Sequence, residues 1–155
     1  MSDQTFFWYF AYGSNMDSKR LKERIGRFPE RVPGVLRDWK LAFNKAAKAL
    51  PGVGFANIVL CPGERVEGIL YAVTKEELLK LDTYEGFPTH YERREVSVER
   101  RDTGEVVSAV TYIANPAKVE DGLKPTREYL SHLLAGADYL SKEYVHRLRL
   151  VETAD

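Results

Sequence analysis

The sequence predicts an α+β fold built on a mixed, strongly curved sheet. Patterns typical of β-strands occupy the first three quarters of the chain, interrupted by one helical segment after the first strand and another near the middle. Helical patterns fill the rest. This order differs from the regular strand and helix alternation of a Rossmann fold. With 155 residues, 44% of them hydrophobic, the chain has the size and apolar content of one domain, which we place at residues 1–155.

The first strand is predicted at residues 5–12, because aromatic and apolar residues occupy both of its alternating faces, as in a strand buried on two sides. Gly13 ends it. Asn15 or Asp17 is suited to cap a helix over residues 17–25. The basic residues of that helix are Lys19, Arg20, Lys22 and Arg24. We interpret them as an ordinary solvated face.

Three strand segments follow. Pro33-Gly34 opens one over residues 35–43, and the loop at residues 52–54 precedes another over residues 55–61. The turn at residues 62–64 then separates that strand from the next, residues 66–73.

A middle helix is predicted from its ends. Thr74 and Glu77 form the pattern of a capping box, in which each residue bonds the backbone of the other. Gly86 suits the C-terminal cap, and Pro88 beyond it cannot continue the helix. Glu85 is therefore the last residue of this helix.

The last third combines a hairpin with two helices. Within residues 94–100, one alternating set holds Arg94, Val96, Val98 and Arg100 and the other holds Glu95, Ser97 and Glu99, and a turn at residues 102–104 leads into residues 106–114. Pro125 fits the first position of a helix whose apolar face includes Tyr129. Ser141 is suited to cap a final helix that extends its apolar face to Leu150.

The charge balance argues against polymeric partners. Lys plus Arg and Asp plus Glu each total 23, so net charge predicts neither nucleic acid nor an anionic membrane as a partner. The single cysteine, Cys61, cannot form an intramolecular disulfide, and no apolar run reaches the roughly 20 residues of a membrane-spanning helix. We expect a cytoplasmic protein that takes a small-molecule ligand. The sequence carries no signal for its oligomeric state.

The turn Tyr12-Gly13-Ser14-Asn15 is the first candidate site. A passage from strand to turn to helix aims consecutive backbone N–H groups at one point, where they bind a carboxylate or a carbonyl oxygen that gains negative charge. An ordinary capping turn is the alternative, since Ser and Asn are common caps. The turn lacks the glycine spacing of a dinucleotide or phosphate-binding loop, so no nucleotide cofactor is predicted.

Glu85 is the second candidate. Neighbouring aromatic residues, Tyr84, Phe87 and Tyr91, would make its surroundings apolar, which raises a carboxyl pKa and suits the group to general-base work. A carboxylate at a helix C-terminus is also electrostatically disfavoured, so its placement there favours a functional role. A solvated surface glutamate is the alternative.

Other catalytic chemistries find little support. Ser14 lacks the G-x-S-x-G pattern of a nucleophile elbow, and no histidine spacing marks a partner base. The three histidines and Cys61 also lack metal-ligand spacing, so no metal site is predicted.

Two segments resemble the γ-glutamylcyclotransferase family. Residues 9–16, Tyr-Phe-Ala-Tyr-Gly-Ser-Asn-Met, are similar to its opening strand and Y-G-S-N signature, and residues 81–86 resemble its L-D-x-x-E-G segment. The resemblance maps the catalytic glutamate of the family to Glu85 and its pocket tyrosine to Tyr129. It also implies a barrel-like sheet flanked by helices.

The resemblance implies a reaction as well. The free α-amine of a γ-glutamyl compound attacks its own γ-carbonyl and releases 5-oxoproline and an amine or amino acid, without a cofactor. Glu85 would act as acid and base, the amides of Gly13, Ser14 and Asn15 would bind substrate, and tyrosines would shape the pocket, namely Tyr9, Tyr12 and Tyr129. Two alternatives stay open. One is the same chemistry on a γ-glutamyl amine or a γ-glutamyl-acylated natural product, and the other is a non-catalytic binding module that retains the fold.

Overall fold

The strands close into a barrel in the computed structural model, which describes residues 5–155. The helices and strands, in chain order, are β1 (Phe6–Ala11), α1 (Ser18–Ile25), β2 (Arg31–Ala46), β3 (Gly54–Thr74), α2 (Lys75–Glu85), β4 (Tyr91–Arg100), β5 (Val106–Ala114), α3 (Arg127–Leu134) and α4 (Lys142–Arg149). The predicted α+β class and barrel-like sheet are confirmed.

The order of strands around the barrel is β1-β3-β2-β4-β5. Neighbouring strands run antiparallel except where the barrel closes, because β1 pairs with β5 in parallel, with Trp8 opposite Ala109. This pairing places β1 between β3 and β5, so the turn that follows β1 emerges at one end of the barrel.

Alternate residues of β1 enter two separate cores. Phe10 packs in a cluster built from strand residues, whereas Tyr9 and Ala11 pack in a cluster that draws on all four helices. The strand cluster fills the barrel, and the other joins the helices to its outer surface. The prediction of a strand buried on two sides is correct only for its later part, because Phe6 and Phe7 are exposed.

The turn predicted at residues 62–64 does not divide β3. The strand continues through a large bulge, in which Asp38 of β2 lies opposite residues 61–64. Gly63 has a positive φ of 86° there and donates its N–H to the Asp38 carboxylate at 2.9 Å. Turn residues in the sequence therefore mark a bulge inside one long hairpin. Pro33-Gly34 likewise lies inside β2, which begins at Arg31.

A glycine in β3 lets the end of β1 lie close to its neighbour. A Cβ built on Gly68 would lie 2.4 Å from the carbonyl oxygen of Ala11, the last residue of β1. No other residue type fits this approach, which fixes the starting point of the turn that follows.

The helix ends follow their predicted caps in most cases. Asp17 caps α1, and the Thr74 and Glu77 capping box begins α2. Thr126 caps α3, so Pro125 precedes the cap instead of occupying the first helical position. Leu150 lies just beyond α4 and is exposed. No helix within residues 5–155 has the length and apolar character required to cross a membrane.

Candidate active site

The turn after β1 forms one wall of a cavity of about 460 Å³ at the end of the barrel. The first helical hydrogen bond of this turn runs from the N–H of Met16 to the carbonyl of Gly13 at 3.0 Å. The N–H groups of Gly13, Ser14 and Asn15 therefore have no partner within the turn, as at any helix start. A Cβ on Gly13 would lie 3.3 Å from the Tyr129 hydroxyl, so glycine keeps this wall open.

Asn15 holds the turn rigidly in place. Its side chain is buried, and its amide nitrogen donates to the Tyr9 hydroxyl at 3.0 Å while its amide oxygen accepts from Arg24 at 3.0 Å. The Asn15 carbonyl accepts from the Tyr71 hydroxyl at 2.8 Å. Asn15 thereby ties the turn to β1, α1 and β3.

Glu85 lies on the cavity wall as the last residue of α2, where Gly86 adopts the left-handed conformation and ends the helix. Burial raises the pKa of its carboxyl to about 7, and the nearby cations Arg24, Arg20 and Lys45 oppose that rise. Both protonation states are therefore populated near neutral pH, as acid and base chemistry requires. Desolvation, the cause expected from the sequence, makes the largest contribution to the rise in this pKa.

The tyrosines around Glu85 remain neutral hydroxyl groups. Burial raises the pKa of Tyr9, Tyr12 and Tyr91, and the Glu85 carboxylate raises each of them further. The pKa of Tyr129 rises to about 12, again chiefly through burial. Each of these side chains therefore keeps its hydroxyl proton at physiological pH and can donate it in a hydrogen bond.

The backbone of one residue, Ala56, anchors two of these tyrosines. The Ala56 N–H donates to the Tyr129 hydroxyl at 3.0 Å, and the Tyr91 hydroxyl donates to the Ala56 carbonyl at 2.8 Å. Because the Tyr129 hydroxyl is the acceptor in its hydrogen bond with Ala56, its own proton is free to be donated to a ligand. Within residues 5–155 no side-chain or backbone acceptor takes it.

The structure brings all seven predicted site residues to this one cavity. They are Tyr9, Tyr12, Gly13, Ser14, Asn15, Glu85 and Tyr129. Of the aromatic residues expected around Glu85, Tyr84 and Tyr91 line the cavity, and Phe87 lies outside it and is partly exposed.

Sequence reasoning missed the cationic part of the site. Arg20 and Arg24 line the cavity, although we interpreted the basic face of α1 as solvated. Lys45 and Lys48 line it from the end of β2 and the loop beyond. Arg20 and Arg24 lie one helical turn apart on the helix that follows the candidate turn. This spacing is the feature of the sequence that could have identified them as cavity residues. No signal in the sequence distinguished Lys45.

The described residues contain no metal-binding cluster. No group of three or more His, Cys, Asp or Glu side chains within residues 5–155 is arranged to hold a metal ion.

Comparison with known proteins identifies the family. Residues 9–136 match the family model described as gamma-glutamyl cyclotransferase, AIG2-like. The chain belongs to this family. The matched range includes every predicted site residue and both arginines of the cavity.

Two relatives of the gamma-glutamyl cyclotransferase family illustrate the similarity. The chain is 29% identical, over an alignment 160 positions long, to the Homo sapiens protein named gamma-glutamylcyclotransferase, with 99% of this chain and 82% of the human protein covered. The Bos taurus protein of the same name gives the same identity and coverage. A solved structure named gamma-glutamyl cyclotransferase superposes with a TM-score of 0.84 at 28% identity, over 97% of this chain and 90% of that one. Sequence and fold thus both place the chain in an enzyme family.

Proposed function

We propose that this protein is an active γ-glutamylcyclotransferase that converts a γ-glutamyl compound into 5-oxoproline and a free amine or amino acid. The observation that carries the proposal is the position of Glu85, a carboxyl with a pKa of about 7, in the same cavity as the amides of the turn after β1. Family membership supports the reaction type.

The reaction is a ring closure within one molecule. Glu85 takes a proton from the substrate α-ammonium, and the amine so formed attacks the γ-carbonyl carbon. A new C–N bond forms, the carbonyl oxygen gains negative charge, and the bond to the departing nitrogen then breaks. One hydrogen stays on the ring nitrogen and two end on the departing amine, which leaves as an ammonium ion, so no water is consumed.

The cavity supplies what such a ring closure needs. Holding the substrate in its folded conformer removes much of the entropic barrier, which in favourable intramolecular reactions amounts to roughly 7–11 kcal/mol. The amides of Gly13, Ser14 and Asn15 bind either the substrate carboxylate or the developing oxyanion. Tyr129, whose hydroxyl proton is available, and the buried Tyr9 and Tyr12 shape the pocket around the glutamyl group.

Incubation of the purified protein with γ-glutamyl-alanine tests the proposal. We expect 5-oxoproline and alanine in equal amounts. Glu85→Gln should lower kcat by about 100-fold or more, as removal of a general acid and base does. Glu76→Gln is the matched control, since it makes the same chemical change at an exposed position on the same helix.

Two results would contradict the proposal. One is the absence of 5-oxoproline from any of a panel of γ-glutamyl compounds, and ligand binding without turnover in that case would identify a non-catalytic binding module. The other is a folded Glu85→Gln protein with wild-type activity.

A further inference from the structure

Lys45 is a buried cation at the cavity. Its residue is only 4% exposed, and its ammonium group donates to the Ala46 carbonyl at 3.0 Å. The same nitrogen lies 5.8 Å from the ring centroids of Phe55 and Tyr91, two aromatic walls of the cavity. The Ala46 carbonyl is the one hydrogen-bond acceptor that this ammonium group has within residues 5–155, although the group carries three N–H bonds.

Lys45 has no carboxylate partner. Within residues 5–155 no Asp or Glu oxygen lies within 4.0 Å of its ammonium nitrogen. Burial and the charge of Lys118 lower the pKa of Lys45, while the Glu85 carboxylate raises it. A buried ammonium without a counter-ion is costly, and an anionic ligand at this point would remove that cost.

The cavity continues beyond Lys45. A second cavity of about 580 Å³ shares Lys48 and His90 with the first, and Lys118 and Glu120 also line it. Ala46 and Ala47, the two residues after Lys45, also line this second cavity. Lys45 therefore lies next to a continuation of the first cavity, into which the departing half of a substrate would extend.

The charges of the first cavity favour a substrate with an additional carboxylate. Four basic side chains line it, Arg20, Arg24, Lys45 and Lys48, against one carboxyl, Glu85. A γ-glutamyl amino acid carries two carboxylates and one ammonium group, so its net negative charge offsets part of this positive excess. A γ-glutamyl amine with an uncharged departing half carries one of each and offsets none of it.

We propose that Lys45 is a specificity-determining residue that pairs with a carboxylate on the departing half of the substrate and so selects γ-glutamyl compounds of amino acids over those of simple amines. This inference rests on the proposed cyclotransferase function. It assigns Lys45 a role in binding the half of the substrate that the turn and Glu85 do not contact.

Two substrates with the same carbon–nitrogen framework around the departing nitrogen test the assignment. γ-Glutamyl-alanine and γ-glutamyl-ethylamine share the glutamyl half and the departing nitrogen, and differ by one carboxylate. We expect wild type to prefer γ-glutamyl-alanine in kcat/KM by about tenfold or more, the range of one hydrogen-bonded charge pair. Lys45→Met should bring the ratio of the two kcat/KM values close to one by lowering the value for γ-glutamyl-alanine much more than the value for γ-glutamyl-ethylamine.

The ratio of the two kcat/KM values reports only on contacts with the departing half of the substrate. Any influence of Lys45 on the Glu85 pKa, or on the glutamyl carboxylate, acts equally on both substrates and cancels. Lys45→Arg keeps the positive charge and should retain most of the preference. Lys40→Met is the control, because Lys40 lies exposed on the same strand and outside the cavity. If Lys45→Met fails to fold, Lys45→Gln removes the charge while keeping a donor for the Ala46 carbonyl.

Three outcomes of these measurements would contradict the proposals. An equal or reversed wild-type preference overturns the proposal without any variant. A parallel loss on both substrates in folded Lys45→Met also overturns it, because Lys45 would then act on the shared half. If wild type forms 5-oxoproline from neither compound nor from a wider panel, it is the cyclotransferase function itself that fails.

Discussion

The hydroxyl of Tyr129 accepts a 3.0 Å hydrogen bond from the backbone N–H of Ala56. This bond joins α3 to β3 at the wall of the cavity, and Gly13 of the turn lies against both residues. A helix from the end of the chain, a central strand and the turn after β1 therefore meet at one point. Changes at this point test the geometry of the site.

Tyr129→Phe should weaken both stability and activity. The Ala56 N–H loses its partner, and a buried donor left unsatisfied costs about 1–3 kcal/mol in the free energy of unfolding. We expect kcat/KM for γ-glutamyl-alanine to fall about 10-fold or more, in the range for loss of a hydrogen bond to a charged or reacting group. Denaturant unfolding and initial rates measure the two effects. Tyr139→Phe, outside the cavity, is the control and should change neither.

Gly13→Ala should narrow the cavity. The added Cβ would lie 3.2 Å from the Ala56 Cβ and 3.3 Å from the Tyr129 hydroxyl, so these groups must shift. We expect a rise in KM together with a small loss of stability. Because the hydroxyl is one of the two obstacles, the stability costs of Gly13→Ala and Tyr129→Phe should sum to more than the cost of the double variant. Strict additivity in a double-mutant cycle would show that the two groups do not meet.

The pH dependence of the reaction should follow Glu85. A base must be deprotonated, so kcat/KM should rise with pH through a value of about 7, the pKa of this carboxyl. Arg24 is the cation that lowers this pKa most. Removing its charge in Arg24→Gln should therefore move the rising limb to higher pH. Titration of the Glu85 carboxyl carbon by NMR provides an independent measure, and an unchanged value in the variant would contradict this account.

Stability should also depend on pH through Glu85. Its folded-state pKa lies above the ordinary value of 4.5, so the folded protein holds a proton that the unfolded chain has lost between these two values. The contribution of Glu85 to stability is therefore greatest at pH values below the unfolded pKa, and is lost as pH rises through about 7. Glu85→Gln does not titrate and should escape this loss.

The measurement is urea unfolding of wild type and Glu85→Gln at about pH 5 and about pH 8. The stability of the variant relative to wild type should increase between these two pH values by at most on the order of 3 kcal/mol, since one pKa unit corresponds to about 1.4 kcal/mol. A relative stability independent of pH would mean that the Glu85 pKa is not raised.

Much of the local structure was predictable because its causes are local. Thr74 and Glu77 cap α2 through neighbouring backbone groups, and Gly86 ends it through its own left-handed conformation. Those two facts fix Glu85 at the end of the helix. The bulge at Gly63 was misinterpreted as a turn, because a glycine with positive φ serves both structures and only the pairing with Asp38 distinguishes them.

The sequence by itself determined the turn after β1, the position of Glu85 at a helix end and, through two motifs, the family. Only the tertiary structure decided that Arg20, Arg24 and Lys45 face the same cavity as Glu85, and that burial outweighs their charges in setting its pKa. The physical reason is the range over which each interaction acts. Capping and alternation act between close neighbours in the chain, whereas desolvation and electrostatic interaction depend on distance in space, and closure of the barrel alone brings β2, α1 and the end of α2 together.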